Sequence, residues 1–79
     1  MTPAQCRAAR AYLQISQDEL AKAASVSVST VRDFEVGKRT PIAATLTAMQ
    51  ATLEVRGARF VDESETSGVL FPKGAAAPG

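Results

Sequence analysis

The chain contains no histidine, no tryptophan and a single cysteine, Cys6, and only 5% of its residues are aromatic. Without histidine, the usual zinc ligand and the commonest general base are missing, which excludes most hydrolase and metal-site chemistry. A lone cysteine cannot close an intrachain disulfide, and no second thiol is present to resolve an oxidised one, so Cys6 reads as a small core residue. No apolar run approaches the roughly 20 residues needed to cross a bilayer; Arg59 already splits Ala58 from Phe60 and Val61. The opening MTPAQCRAAR lacks an apolar signal-like segment and a cleavage site, which sets the expectation of a cytoplasmic protein with no membrane partner. Neither a phosphate-binding glycine loop nor a nucleophile–base pair can be assembled, so an enzyme is not expected, nor any cofactor or metal. Asp62, Glu63 and Glu65 read as a solvated acidic loop, because calcium needs more oxygen ligands at loop spacing.

What remains is a chain of 79 residues, 46% apolar and 22% charged, which fits one small globular domain. The net charge of +1 is unevenly spread. Through Arg59, eight basic side chains stand against five acidic ones; beyond it, Lys73 stands against Asp62, Glu63 and Glu65. The basic excess permits a polyanionic partner for the first part of the chain.

Helix starts are legible. Thr2-Pro3-Ala4-Gln5 combines an N-cap hydroxyl, proline at the first helical position and glutamine at N3, and predicts a helix over 3–13 with Cys6, Ala9 and Leu13 inward. Ser16-Gln17-Asp18-Glu19 is a second capping box, with Ile15 and Leu20 as a hydrophobic staple, and predicts a helix over 17–24. Ser27 caps a third helix over 28–36, which Gly37 ends in the left-handed conformation. Thr40-Pro41 starts or immediately precedes a fourth helix with Ile42, Leu46, Met49, Leu53 and Arg56 in a row, stopped by Gly57. Arg59-Phe60-Val61-Asp62 and Gly68-Val69-Leu70-Phe71 then predict a short β-hairpin.

Between Ile15 and Pro41, two short capped helices flank the tight turn Ser25-Val26-Ser27, which forces a steep crossing of helix-turn-helix type. On the second of them, Val31 and Phe34 turn inward, while Val28, Ser29, Arg32 and Asp33 fall on the opposite arc. That arc is small and polar near its start, a surface able to enter a major groove and meet base edges. The start of the preceding helix, at Ser16 and Gln17, directs its positive dipole end toward a phosphate. Lys38 and Arg39, just past the Gly37 stop, are placed to clamp another.

The run ISQDELAKAASVSVSTVRDFEVGKRTP resembles the helix-turn-helix of the phage repressor and Cro-like (XRE) family, in S-Q-x-E-L-A, V-S, V-R-x-F-E and G-K-R-x-P, over about residues 6–53. The resemblance implies a mainly α, four-helix lambda-repressor-like domain with a C-terminal hairpin appended, a homodimer bound to double-stranded DNA at a partly palindromic operator, and transcriptional regulation. It further implies base reading by Val28, Ser29, Arg32 and Asp33, a backbone contact from Gln17, and a structural ion pair between Arg10 and Glu35. Two positions depart from the family. Ser25 stands where glycine is frequent, which predicts a modest cost for a positive φ. Val36 stands where asparagine is frequent, so a phosphate contact is lost and Lys38 and Arg39 must compensate.

The expected organisation is a DNA-binding domain over 1–57, a hairpin over 58–72 and a flexible tail over 73–79. The hairpin either joins that of a second copy in a symmetric dimer or folds back on the fourth helix of its own chain. A second functional reading follows from it: an antitoxin- or adaptor-type module in which the hairpin binds a partner protein.

Overall fold

The computed structural model describes residues 1–73; the tail expected over 73–79 falls, apart from Lys73, outside the described residues. Four helices, α1 (Pro3–Leu13), α2 (Gln17–Ala24), α3 (Val28–Glu35) and α4 (Ala43–Val55), are followed by the antiparallel strands β1 (Arg59–Asp62) and β2 (Ser67–Leu70). The architecture is mainly α with a short C-terminal hairpin. Both capping boxes form, with Thr2 and Ser16 accepting from the backbone of Gln5 and Glu19 while those side chains accept from the cap residues. None of the helices among the described residues is long and apolar enough to cross a membrane.

All four helices stop by the same device. A residue with positive φ (Gln14 at 56°, Ser25 at 58°, Gly37 at 78°, Gly57 at 112°) turns the chain back. The next N–H then closes a six-residue loop: Ile15 to Arg10 O, Val26 to Ala21 O, Lys38 to Asp33 O and Ala58 to Leu53 O. This Schellman closure satisfies carbonyls that a helix end otherwise leaves open. After α1, α2 and α4 the closing residue is apolar and turns toward the core; after α3 it is Lys38, exposed to solvent. The core gathers Cys6, Ala9, Leu13, Leu20, Val31, Phe34, Met49 and Leu53.

The fourth helix departs from the sequence expectation at its start. It begins at Ala43 with Ile42 as an N-cap that makes no side-chain bond, and Ile42 is 75% exposed instead of heading the core row. Pro41 explains the delay, since the residue before a proline is held out of the helical region and the proline itself lacks an N–H. Arg56 likewise lies in solvent.

The hairpin leans mainly on α1, where the expectation for a hairpin folded on its own chain is α4. Gln5 Nε2 donates to Val61 O (2.9 Å) and Gly68 O (2.8 Å), one carbonyl from each strand, while its Oε1 accepts from Thr2 N–H. Two helical turns later, Tyr12 stacks on Phe71 with ring centroids 3.8 Å apart. Phe60 and Val69, directly opposite in the ladder, pack on the core. The second strand starts at Ser67, one residue earlier than expected, and Phe71 lies beyond it.

Three helices meet at one carboxylate. Glu35, 1% exposed, takes Arg10 bidentately, Nε to Oε2 at 2.7 Å and Nη2 to Oε1 at 2.6 Å. It also accepts from Gln17 Nε2 (3.0 Å) and from the Cys6 thiol (3.1 Å), and its backbone carbonyl accepts from Arg7. Arg10 reaches on to the carbonyl of Ile15 in the α1–α2 turn. Burial pushes the Glu35 carboxyl up, but the bonds from Arg10, Gln17 and Cys6 together with the Arg10 charge outweigh it and hold the group below its ordinary value. The Glu35 hydrogen bond pushes Arg10 up, against a smaller opposing effect of burial. Burial first, and the neighbouring carboxylate second, push the Cys6 thiol far up, so it stays a protonated donor.

Three substitutions test these contacts. Because Glu35 is held low, its stabilisation is complete above the unfolded carboxyl pKa of about 4.3 and is lost as the pH falls through the lower folded value. Arg10→Met strands the buried carboxylate and is expected to cost about 3–5 kcal/mol at neutral pH in urea melts. Glu35→Gln is expected to destabilise at neutral pH and to flatten the acid limb of the stability curve. Gln5→Glu keeps the cap acceptor but sets a carboxylate against two carbonyl oxygens. Its expected cost is about 1–3 kcal/mol, read in the same melts.

Candidate nucleic-acid interface

The second helix of the motif is held on one side and free on the other. Val31, Phe34 and Glu35 are buried, and the last is the carboxylate clamped by α1 and α2. Ser27, the N-cap, accepts from Thr30 N–H and shares hydroxyl bonds with Thr30 (2.7 Å) and Ser29 (3.1 Å), so the start of α3 carries a cluster of three hydroxyls.

On the free side the expected residues separate. Ser29 and Arg32 are exposed and Asp33 is half-buried. Val28 is not on the outward arc proper: it is half-buried and packs against the core at the edge of the face. Its angular position explains this, because at about 100° per residue it lies only about 20° from Glu35 and about 60° from Val31, at the flank of the buried stripe. Thr30, which pattern reading passed over, lines a shallow groove with Ser29, Asp33, Arg39 and Pro41, between α3 and the start of α4. The signal was present in the sequence, since N3 after a serine cap lies on the cap's own side of the helix.

The α3–α4 loop is tied to the helix it follows. Lys38 and Arg39 both donate backbone N–H groups to the Asp33 carbonyl, at 2.8 and 3.3 Å. Their side chains, with that of Thr40, stand in solvent. Val36, whose position lacks the family's frequent asparagine, is 70% exposed and offers no polar group. Among the described residues no ion pair forms on this face; Arg32, Lys38 and Arg39 carry uncompensated positive charge, and Asp33 does not pair with Arg32.

At the start of α2, Ser16 is exposed and its hydroxyl is spent on the cap. Gln17 turns inward, with one N–H committed to Glu35. Of the backbone N–H groups of the first turn, that of Glu19 is taken by the Ser16 hydroxyl, while those of Gln17 and Asp18 have no partner among the described residues. Ser25 adopts the positive φ that the turn requires without glycine. No group of three or more metal-ligating side chains comes together among the described residues.

The arrangement therefore presents small hydroxyls and one guanidinium along an exposed helix, with two further cations on a loop anchored to its C-terminal end. Groups of this kind can meet base edges and phosphates respectively. Residues 7–60, more than half the chain, match a family model described as helix-turn-helix. A comparison with curated proteins returned no match. The match spans the capped pair α2–α3 together with the helices that hold it, and the chain belongs to the Cro/C1-type (XRE) helix-turn-helix family of DNA-binding transcription regulators, a family not known for catalysis.

Proposed function

We propose that the chain is a sequence-specific regulator that acts as a homodimer on a partly palindromic operator, with α3 in the major groove of each half-site. The observation that carries this reading is the unpaired polar face of α3 and its loop, on a helix whose other side is fixed by Glu35. In this reading Ser29 and Arg32 read base edges, Arg32 having the bidentate geometry that suits guanine. Asp33 accepts from a cytosine or adenine amino group, a role that offsets the repulsion of a carboxylate beside phosphates. Val28 touches a thymine methyl from the edge of the face. Lys38 and Arg39 hold the backbone on one side of the groove, and Ser16 and Gln17, through the α2 start, on the other.

An antitoxin- or adaptor-type module, with the hairpin holding another protein, is the alternative; the exposed Leu70 on that hairpin favours it. Selection from a random duplex library separates the two. A regulator enriches one two-fold related motif at moderate salt, and the absence of any enriched sequence would sink the proposal.

The contact classes make distinct predictions. Ser29→Ala and Arg32→Ala are expected to change the preferred base at one position per half-site, by about 1–3 kcal/mol in competition binding. Lys38→Ala is expected to weaken all duplexes alike and to lower the salt slope by about one per subunit. Indistinguishable behaviour of the two classes would remove α3 as the reader.

A further inference from the structure

The hairpin carries an edge that the described residues leave open. Glu63 N–H donates to Thr66 O at 2.7 Å, and continuing the register sets Glu63 opposite Thr66. Antiparallel pairs alternate between hydrogen-bonded and non-bonded, so Val61–Gly68 and Arg59–Leu70 are bonded pairs, whereas Phe60–Val69 and Asp62–Ser67 are not. The N–H and C=O groups of Phe60 and Asp62 therefore point away from β2, and no described residue bonds to them. The outward groups of Ser67 and Val69 on β2 are likewise unbonded, but α1 rests mainly against β2, so β1 is the less covered of the two edges. Unpaired groups on such an edge are a template for another strand.

We propose that a second copy of this chain pairs with β1 in antiparallel fashion about a two-fold axis at Val61, forming one four-stranded sheet. The proposal rests on the homodimeric reading above and assigns its interface. Two-fold symmetry across an antiparallel pair requires one residue to face its own copy. An axis at Asp62 sets like charges face to face. An axis at Phe60 sets Asp62 opposite Ala58, whose N–H is already spent on Leu53 O. The axis at Val61 has neither fault. The open groups of Phe60 meet those of Asp62 in the second copy, and each of the two symmetry-related pairs exchanges both bonds.

Charge selects the same register. Arg59, Val61 and Glu63 alternate along the strand and so share one face. Pairing about Val61 places Arg59 of each copy opposite Glu63 of the other, on either side of a Val61–Val61 contact. The strand is thus electrostatically complementary to its own reversed copy. With α1 over β2, the two helical bodies sit above the outer strands of the joined sheet, leaving the central pair free to form.

The test uses the full chain. A non-bonded antiparallel pair holds its Cα atoms about 4.5 Å apart, within the range that a disulfide spans. Val61→Cys treated with diamide is therefore expected to run as a covalent dimer on a non-reducing gel. Wild type, whose Cys6 is fully buried, and Ser67→Cys on the opposite edge are expected to stay single. In light scattering, Arg59→Glu or Glu63→Arg is expected to raise the dimer dissociation constant about tenfold or more, and the double exchange R59E/E63R to restore it. Circular dichroism melts establish that each variant is folded. A wild-type dimer that neither cross-links through Val61→Cys nor responds to the charge exchange overturns this interface and leaves the homodimeric reading standing. A wild type that remains monomeric up to 100-fold above the concentration at which it binds its selected duplex overturns both.

Discussion

A carboxylate removed from water is the constraint around which this small domain is arranged. Glu35 is 1% exposed on α3, the second helix of the helix-turn-helix pair. Leaving such a charge unpaired costs several kcal/mol, so the surrounding chain is obliged to bring donors to it. Arg10 and Cys6 come from α1 and Gln17 from α2, while Arg7 takes the carbonyl behind it. An apolar residue at this position would bind α3 to its neighbours with equal adhesion but without direction. The forked guanidinium accepts one rotational setting of α3 about its axis. In the proposed role of α3, reading base edges with side chains as short as serine would need that setting fixed, because a hydroxyl has little reach to make up a rotation.

The same economy governs the helix ends. Closing every helix by one motif makes the turns short and their exits defined, and in three of the four the closing residue is apolar and adds to the core. The exception is functional in its consequence. At the end of α3 the closing residue is Lys38, so the backbone bonds to Asp33 that stop the helix also hold two cations at a fixed distance from its exposed face. Loop charges anchored in this way lose less entropy on meeting phosphates than charges on a free loop do.

Much of this was legible because it is local. Thr2, Ser16 and Ser27 mark helix starts through hydroxyls that act within three residues, and Gly37 and Gly57 mark stops through their own backbone freedom. Gln14 was not legible as a stop, since nothing in its composition advertises a left-handed residue; the turn is imposed by the burial of Ile15. Ile42 misled by its spacing, which fits the apolar row of α4, because periodicity does not register that Pro41 postpones the helix. The inward turn of Gln17 was also hidden, since its partner lies on another helix. The Arg10–Glu35 pair entered through family resemblance alone, for nothing in a single sequence links positions so far apart.

Gln5 shows why the appended hairpin could not be placed from pattern alone. A capping box accepts glutamate or glutamine equally at N3, so the sequence motif leaves the choice unexplained. The structure explains it. The position must accept from Thr2 and at the same time donate to one carbonyl of each strand, and only the amide has both an acceptor and two donor hydrogens. A single side chain thereby joins the start of α1 to the hairpin, while Arg10 on the same helix joins it to α3. Helix α1 is thus the common footing of α3 and of the strand pair. Two copies joined through β1 would fix the spacing of their α3 helices through α1, with no flexible linker in between. In that geometry half-site spacing would be a property of the folded chain itself.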